Sequence, residues 1–500
     1  MPAGDVIHYI SPSGSDSNDG LSLSTAWASP NHAIHCGDVI IAAAGNYTSG
    51  NIGSGFGATS NCPSTTGGID GAGGIYFAIL LCGGIDLQSC QVTGQNTDGA
   101  GVFNVSGVNN WAIEGFKVNG SGNSRGFMVA DQVPGTVFHH FAFVNDIVYN
   151  SLLGFGANEG AVNHSTGCCY DYIAIVGNLS ANSSQDGICV AAIDPTSPGN
   201  FDSASGTHIY IYNNIVWNSV SASCISVSDS EDMMLDTYDA HGFTGQTVVS
   251  NNMGWTADRM CFNIPYGNFN PRSNLVIKVY NNTCFGNLVN IGGDGPDGEI
   301  NLTGDGTTAI ATLSITNNIA QTNRASSGSG GSNVYAAVLG GATWPNLIVG
   351  GSSAQNVFSG MAPSCAGVSC DPGNNITEYN NNTLGINFYV NPGFNNTSDL
   401  LSNRNGIPNC TGFANTTSCM GYNPNTQILT NPSAIYDLQP TCGANCAGKG
   451  FQNPSAVCVS SGPLSTDYPA WLKGIVYLQW NACTHTITEN NDLVTKPCGM

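Results

Sequence analysis

The chain has 500 residues, of which 65 are glycine, 22 proline and 19 cysteine, and 10 lysines and arginines stand against 32 acids for a formal charge of −22. So acidic a chain excludes a nucleic-acid phosphate backbone as partner and disfavours an anionic membrane surface, since both want a basic stripe. No apolar run reaches the ~18 residues of a membrane span, so no insertion is expected, and the length suffices for several ordinary domains or for one stacked array.

The first element is an alternating strand, DVIHYISPSGSDSNDG at 5–20, which runs into a Gly/Ser/Asp loop. STAWASPNHAI then predicts a short helical turn starting near Ser24 or Thr25, over a first coil that opens with CGDVIIAAAGNYTSG at 36–50. From 75 to 206 short strands alternate with frequent turns: IYFAILLC, GVFNVSG, WAIEGFKV, FAFVNDIVYN, YDYIAIVGNLSAN and DGICVAAID. WAIEGFKV predicts Trp111, Ile113 and Phe116 toward packing.

A repeat emerges from 207 onward. THIYIYNNIVWNS, TVVSNNMGW, LVIKVYNNTCFGN and LSITNNIAQTN each join a β-branched or aromatic strand, an asparagine pair and a second apolar run. The pairs are Asn213/Asn214, Asn251/Asn252, Asn281/Asn282 and Asn317/Asn318, at spacings of 38, 30 and 36 residues. A period of that size made of strands predicts a solenoid of roughly ten to twelve coils; a large sandwich with Asn-rich turns is the alternative. Asparagine suits the bend because it tolerates left-handed backbone and its amide bonds along a ladder of like residues.

After about 360, Cys-, Asn- and Pro-rich loops dominate, with NFYVNPGF, PSAIYDL and the apolar WLKGIVYLQW as ordered pieces. The expected organisation is therefore an N-terminal strand and cap at 1–36, stacked coils at 37–360 and a C-terminal region at 361–500 packed on them. The cysteines carry no repeated CxxC pair and read as disulfides, with Cys82/Cys90, Cys365/Cys370, Cys410/Cys419 and Cys442/Cys446 as local candidates. N-x-S/T sequons, among them Asn46, Asn178, Asn182, Asn281 and Asn301, point to glycosylation. With the cysteines they imply a secreted monomer, its sequence that of a mature form with an added start methionine.

These features together resemble the pectate-lyase-like superfamily. The loop Gly14-Ser15-Asp16-Ser17-Asn18-Asp19-Gly20, the Gly37-Asp38 run ending at Gly45-Asn46-Tyr47, and the closing FYVNPGF and SAIYDL carry the resemblance. It implies an all-β, right-handed single-stranded parallel β-helix with a loop-rich, disulfide-rich C-terminal tail, acting on a polysaccharide. In the block 229–264, Asp236, Asn251/Asn252 and Arg259 match a segment of secreted β-helix proteins, with Phe243 in place of a tyrosine and Met260 in place of a glycine.

The same block is the candidate site. Asp229, Glu231, Asp232, Asp236 and Asp239 put five carboxylates inside eleven residues. Clustered acids repel, so either one stays protonated or a hard cation lies between them. Asp229, Glu231, Asp232 and Asp236 are accordingly candidate Ca²⁺ ligands; Asp232 and Asp236 are alternatively an acid/base pair for glycoside hydrolysis, and a solvated acidic loop is the third reading. Arg259 and Lys278 stand out because cations are scarce, and lie 23 and 42 residues after Asp236, of the order of one and two coils. A uronate lyase needs something to neutralise the carboxylate and a base for the C5 proton; Lys278 or Arg259 would be the base and bound Ca²⁺ the neutralising charge. Trp217, Tyr238, Trp255 and Tyr266 flank the block as sugar platforms or as core, and His241, beside Gly242, joins them as a substrate contact. Fold alone does not decide function, so a Ca²⁺-assisted lyase, a paired-carboxylate hydrolase and a non-catalytic carbohydrate-binding or structural protein all stay open, the lyase leading.

Overall fold

The computed structural model describes residues 6–48, the stacked strands with their tight corners between 52 and 359, and short pieces beyond: 376–378, 387–388, 391–392, 422–423, 428–429, 442–447, 449–450, 472, 478–481 and 486–489. Nearly every described strand belongs to one of three long sheets of 11, 10 and 9 strands. The first runs from Ile7–Ile10 to Leu347–Val349, the second from Gly45–Thr48 to Val357–Ser359 and the third from Gly101–Asn104 to Ile376–Glu378. The chain visits first, second and third sheet in turn, so each strand pairs with the one a coil earlier and a coil later, always in parallel. This is the parallel β-helix; the connection sense that twisted parallel strands impose is right-handed.

Alternation sets the core. In the first sheet Trp111, Ile113, Ile173, Ile175, Ile209, Ile211, Ile277 and Val279 point inward, where they meet Val148, Val216 and Cys284 of the second sheet and Phe103, Phe127, Phe155 and Phe262 of the third. Phe103, Phe127 and Phe155 stack with centroids 4.8 and 5.0 Å apart, one coil after another. WAIEGFKV is not a single strand: Gly115, at φ 82°, turns the chain from Trp111–Glu114 of the first sheet into Phe116–Asn119 of the second.

The asparagine pairs are in register. The first member of each takes the left-handed corner: Asn213, Asn251, Asn281 and Asn317 have φ between 55° and 60°. The second points inward and builds the ladder. Asn252 Oδ1 accepts Asn214 N–H and Asn214 Nδ2–H (both 2.9 Å), and Asn214 Nδ2 also donates to the Ile175 carbonyl (2.8 Å). The same bonds recur at Asn282, Asn318, Asn356 and Asn387. At the N-terminal end the ladder passes through Asn178 to Asp146, whose Oδ1 accepts Phe116 N–H (2.8 Å). Above that point Phe116 and Cys90 occupy the row, and apolar packing replaces it.

The N-terminal cap is a 3₁₀ turn, Leu23–Thr25, capped by Ser22 and not by Ser24 or Thr25. Asp16 holds the following segment by accepting Ala28 N–H and Ser29 N–H (both 2.9 Å), and the Trp27 indole donates to the Asn18 carbonyl (3.0 Å). Disulfides form at Cys82–Cys90 and Cys442–Cys446, as their spacing predicts, and also at Cys36–Cys62 and Cys261–Cys284. Cys365/Cys370 and Cys410/Cys419 lie outside the described residues. Beyond the coils, Gly450 N–H donates to the Asn317 carbonyl (2.6 Å), Cys446 packs with Ile319 and Val357, and Leu472 joins the apolar cluster on the outer side of the first sheet. Among the described residues no helix is long and apolar enough to cross a membrane.

Candidate functional site

On the outward side of the first sheet His208 and Lys278 keep partial exposure, while Tyr210, Tyr212, Val248 and Tyr280 around them are buried. Because Ile209 and Ile211 face the core, His208, Tyr210 and Tyr212 face out; Lys278, between inward Ile277 and Val279, does so as well. Register places His208 beside Gln246, and Val248 beside Lys278. His208 and Lys278 therefore lie two coils and two residues apart on one face, about 12 Å at Cα from the spacing and rise of parallel strands.

His208 is anchored by a buried acid. Asp171, one coil earlier and 1% exposed, accepts Tyr172 N–H (2.7 Å) and His208 N–H on Oδ1. Its Oδ2 lies 3.1 Å from His208 Nδ1. A carboxylate only accepts, so Nδ1 carries a ring proton, and in the neutral imidazole the lone pair then lies on Nε2. The His208 ring also ends a stack running along the sheet: Tyr76 on His140 (4.8 Å), His140 on Tyr172 (4.3 Å) and Tyr172 on His208 (3.9 Å). Burial holds His139 down to about 3 and His140, itself a member of the stack, well below the usual imidazole range, which favours the neutral form of both rings.

The fully buried carboxyls belong to the scaffold. Glu114 faces outward from the first sheet between Leu81 and Val144, is 1% exposed, and neither carboxyl oxygen has a hydrogen-bond partner. Burial pushes it up to about 8. Glu299 is likewise raised to about 8 while accepting Asn287 N–H and Nδ2–H. Asp146 is held well above the ordinary range by burial, offset in part by the N–H groups it accepts. None of the three is open to a polymer.

Several expectations change. Asp229, Glu231, Asp232, Asp236, Tyr238 and His241 lie outside the described residues, as do the side-chain surroundings of Tyr266, the last residue of strand Phe262–Tyr266. Arg259 and Lys278 do not share one wall: Arg259 sits in the corner between second and third sheets, 8% exposed, whereas Lys278 lies on the first sheet. Trp217 and Trp255 do stack on one another (5.2 Å, 6°) on the outer side of the second sheet. At 2% and 4% exposure, however, neither offers a face to a sugar. The sequons at Asn178, Asn281 and Asn301 are buried, which rules them out as glycan carriers in the folded coil. Among the described residues no group of three or more His, Cys, Asp or Glu side chains is placed to hold a metal.

The Asp171–His208 pair was missed because the two residues lie 37 positions apart in coils of unequal length. A signal was present: counted back from the ladder residue of each coil, His140, Tyr172, His208 and Gln246 all lie six places before Asp146, Asn178, Asn214 and Asn252.

No protein-family profile matches the chain, and no curated protein matches it in sequence. Solved structures similar to it include pectate lyase Pel9A, 15% identical with a TM-score of 0.34 over 75% of this chain and 88% of that one. A rhamnogalacturonan lyase is 13% identical, with a TM-score of 0.34 over 78% and 90% of the two chains. The GH136 lacto-N-biosidase from Eubacterium ramulus is 11% identical, with a TM-score of 0.35 over 77% and 68%.

Proposed function

We propose that this protein is a carbohydrate-active enzyme that cleaves a uronic-acid-containing polysaccharide by β-elimination on the outer side of the first sheet. The observation that carries the reading is the presence on one face of an imidazole anchored by a buried acid, His208, and a lysine, Lys278. In this reading Lys278 pairs with the uronate carboxylate and His208 Nε2 takes the C5 proton. The C5–H electrons form the C4–C5 double bond as the C4–O bond breaks, and the departing oxygen takes a proton from solvent. The products are an unsaturated uronosyl end and a shortened chain.

The hydrolase alternative needs two carboxyls flanking a bond with room for substrate. Glu114, Asp146 and Glu299 are sealed, which weighs against their serving as that pair. Calcium remains a proposal of the acidic run at 229–236, and extracellular location one of the disulfides and the acidic, lysine-poor surface. The test is to incubate the protein with pectate, alginate and related uronans, with and without EDTA, and follow unsaturated-product absorbance. Reducing ends appearing without that absorbance would move the reading to hydrolysis.

A further inference from the structure

Three successive coils carry a left-handed residue that is not glycine at one register position of the first sheet: Asn110 (φ 64°), just before strand Trp111–Glu114, and His140 (φ 59°) and Tyr172 (φ 52°), inside strands Phe138–Val144 and Tyr170–Val176. Asparagine tolerates that region; histidine does so less, and a tyrosine there is an outlier that the surroundings must hold in place. At Tyr172 the conformation has a specific consequence. The Tyr172 N–H and the His208 N–H of the next coil converge on one oxygen of Asp171, so that the second oxygen meets His208 Nδ1. The Tyr172 ring meanwhile lies flat on the imidazole, 3.9 Å away at 13°. The ring is thus fixed in plane by a stack and in rotation by a hydrogen bond.

We infer that Asp171 and Tyr172 are positioning residues that hold His208 as the Nδ1–H tautomer with Nε2 as the proton acceptor. The purpose of this arrangement rests on the outer-face chemistry proposed above; its geometry does not. Asp171→Asn separates the tautomer from the fold. The amide oxygen keeps the two backbone bonds, while the amide nitrogen now donates to Nδ1 and drives the ring proton to Nε2, where it blocks acceptance.

The test is ¹⁵N NMR of histidine-labelled protein, with the His208 signals identified by their loss in His208→Gln, run beside uronan turnover. Wild type shows protonated Nδ1 and unprotonated Nε2; Asp171→Asn shows the reverse with an unchanged melting temperature, and turnover falls about 10²–10⁴-fold, the range of general-base catalysis. Tyr172→Leu, which removes the stacked ring, keeps protonated Nδ1 but lowers turnover, and undiminished turnover in that variant overturns the role given to Tyr172. A wild-type His208 protonated at Nε2, or an Asp171→Asn protein with unaltered tautomer or undiminished turnover, overturns the assignment. If both tautomers are as stated and wild type cleaves no uronan, the tautomer assignment stands and the uronan reading falls.

Discussion

Asn252 and Asn282 stand one coil apart and are joined twice, Asn282 Oδ1 accepting both the backbone N–H (2.9 Å) and the amide N–H (3.0 Å) of Asn252. Asn282 Nδ2 in turn donates to the Val249 carbonyl and to Asn318 Oδ1 (both 3.0 Å). Each ladder residue therefore satisfies backbone groups that a bend in a water-free core would otherwise strand. Asn282→Ala leaves at least two buried donors and an acceptor unmet, at about 1–3 kcal/mol each. The expected result is a loss of several kcal/mol in denaturant unfolding, far more than Asn46→Ala at the exposed start of the second sheet.

The pH dependence of stability has two limbs. Glu114 and Glu299 bind their protons more tightly folded, near 8, than their ordinary value of 4.5, so the stability they contribute is full below 4.5 and is lost as pH rises through 8. His139 runs the other way: held near 3 against an ordinary 6.5, it contributes stability above 6.5 that is lost as pH falls toward 3, and buried His140 adds in the same direction. Melting temperature should therefore peak between about 4.5 and 6.5 and decline on both sides. Glu114→Gln should flatten the alkaline limb, with the gain over wild type growing from neutral pH to pH ~9. Equal alkaline slopes in the two proteins would refute this origin.

Trp217 and Trp255 act on stability. Replacing either by alanine should cost about 3–5 kcal/mol by the usual loss for a buried aromatic, and phenylalanine should restore part of it. Substrate KM measured on the folded fraction should not move.

Lys278 and Arg259 should separate in the same way. Lys278→Gln, at a partly exposed position of the first sheet's outer face, should lower uronan turnover by about 10²-fold, the scale of losing one charge-stabilising contact, with little change in melting temperature. Arg259→Gln, in a buried corner, should lower melting temperature and leave turnover per folded molecule unchanged.

What was legible in the sequence follows from what repeats. The asparagine doublets recur with the same neighbours, so strand, corner and ladder could be read from Asn213/Asn214 onward even though coil length varies from 30 to 38 residues. The upper coils were less plain because Gly177 takes the left-handed corner before Asn178 and Asp146 takes the ladder position, so the doublet is broken while the geometry continues. Exposure could not be read for Trp217 and Trp255: a three-residue strand shows which side a residue takes, and burial of that side depends on chain far away. Gly450 against Asn317 and Leu472 in the outer cluster show such distant cover on two faces. The Asp171–His208 pair has no motif of its own and appears only when the coils are aligned on their ladder residues.

The most direct measurement is the appearance of unsaturated uronosyl ends when wild type, His208→Gln and Lys278→Gln are each incubated with a panel of uronans, with folding of each verified by melting temperature. The outer-face mechanism predicts absorbance growth on at least one uronan with wild type, and its loss by about 10²-fold or more in His208→Gln at unchanged melting temperature. Undiminished product formation by a folded His208→Gln protein would contradict it.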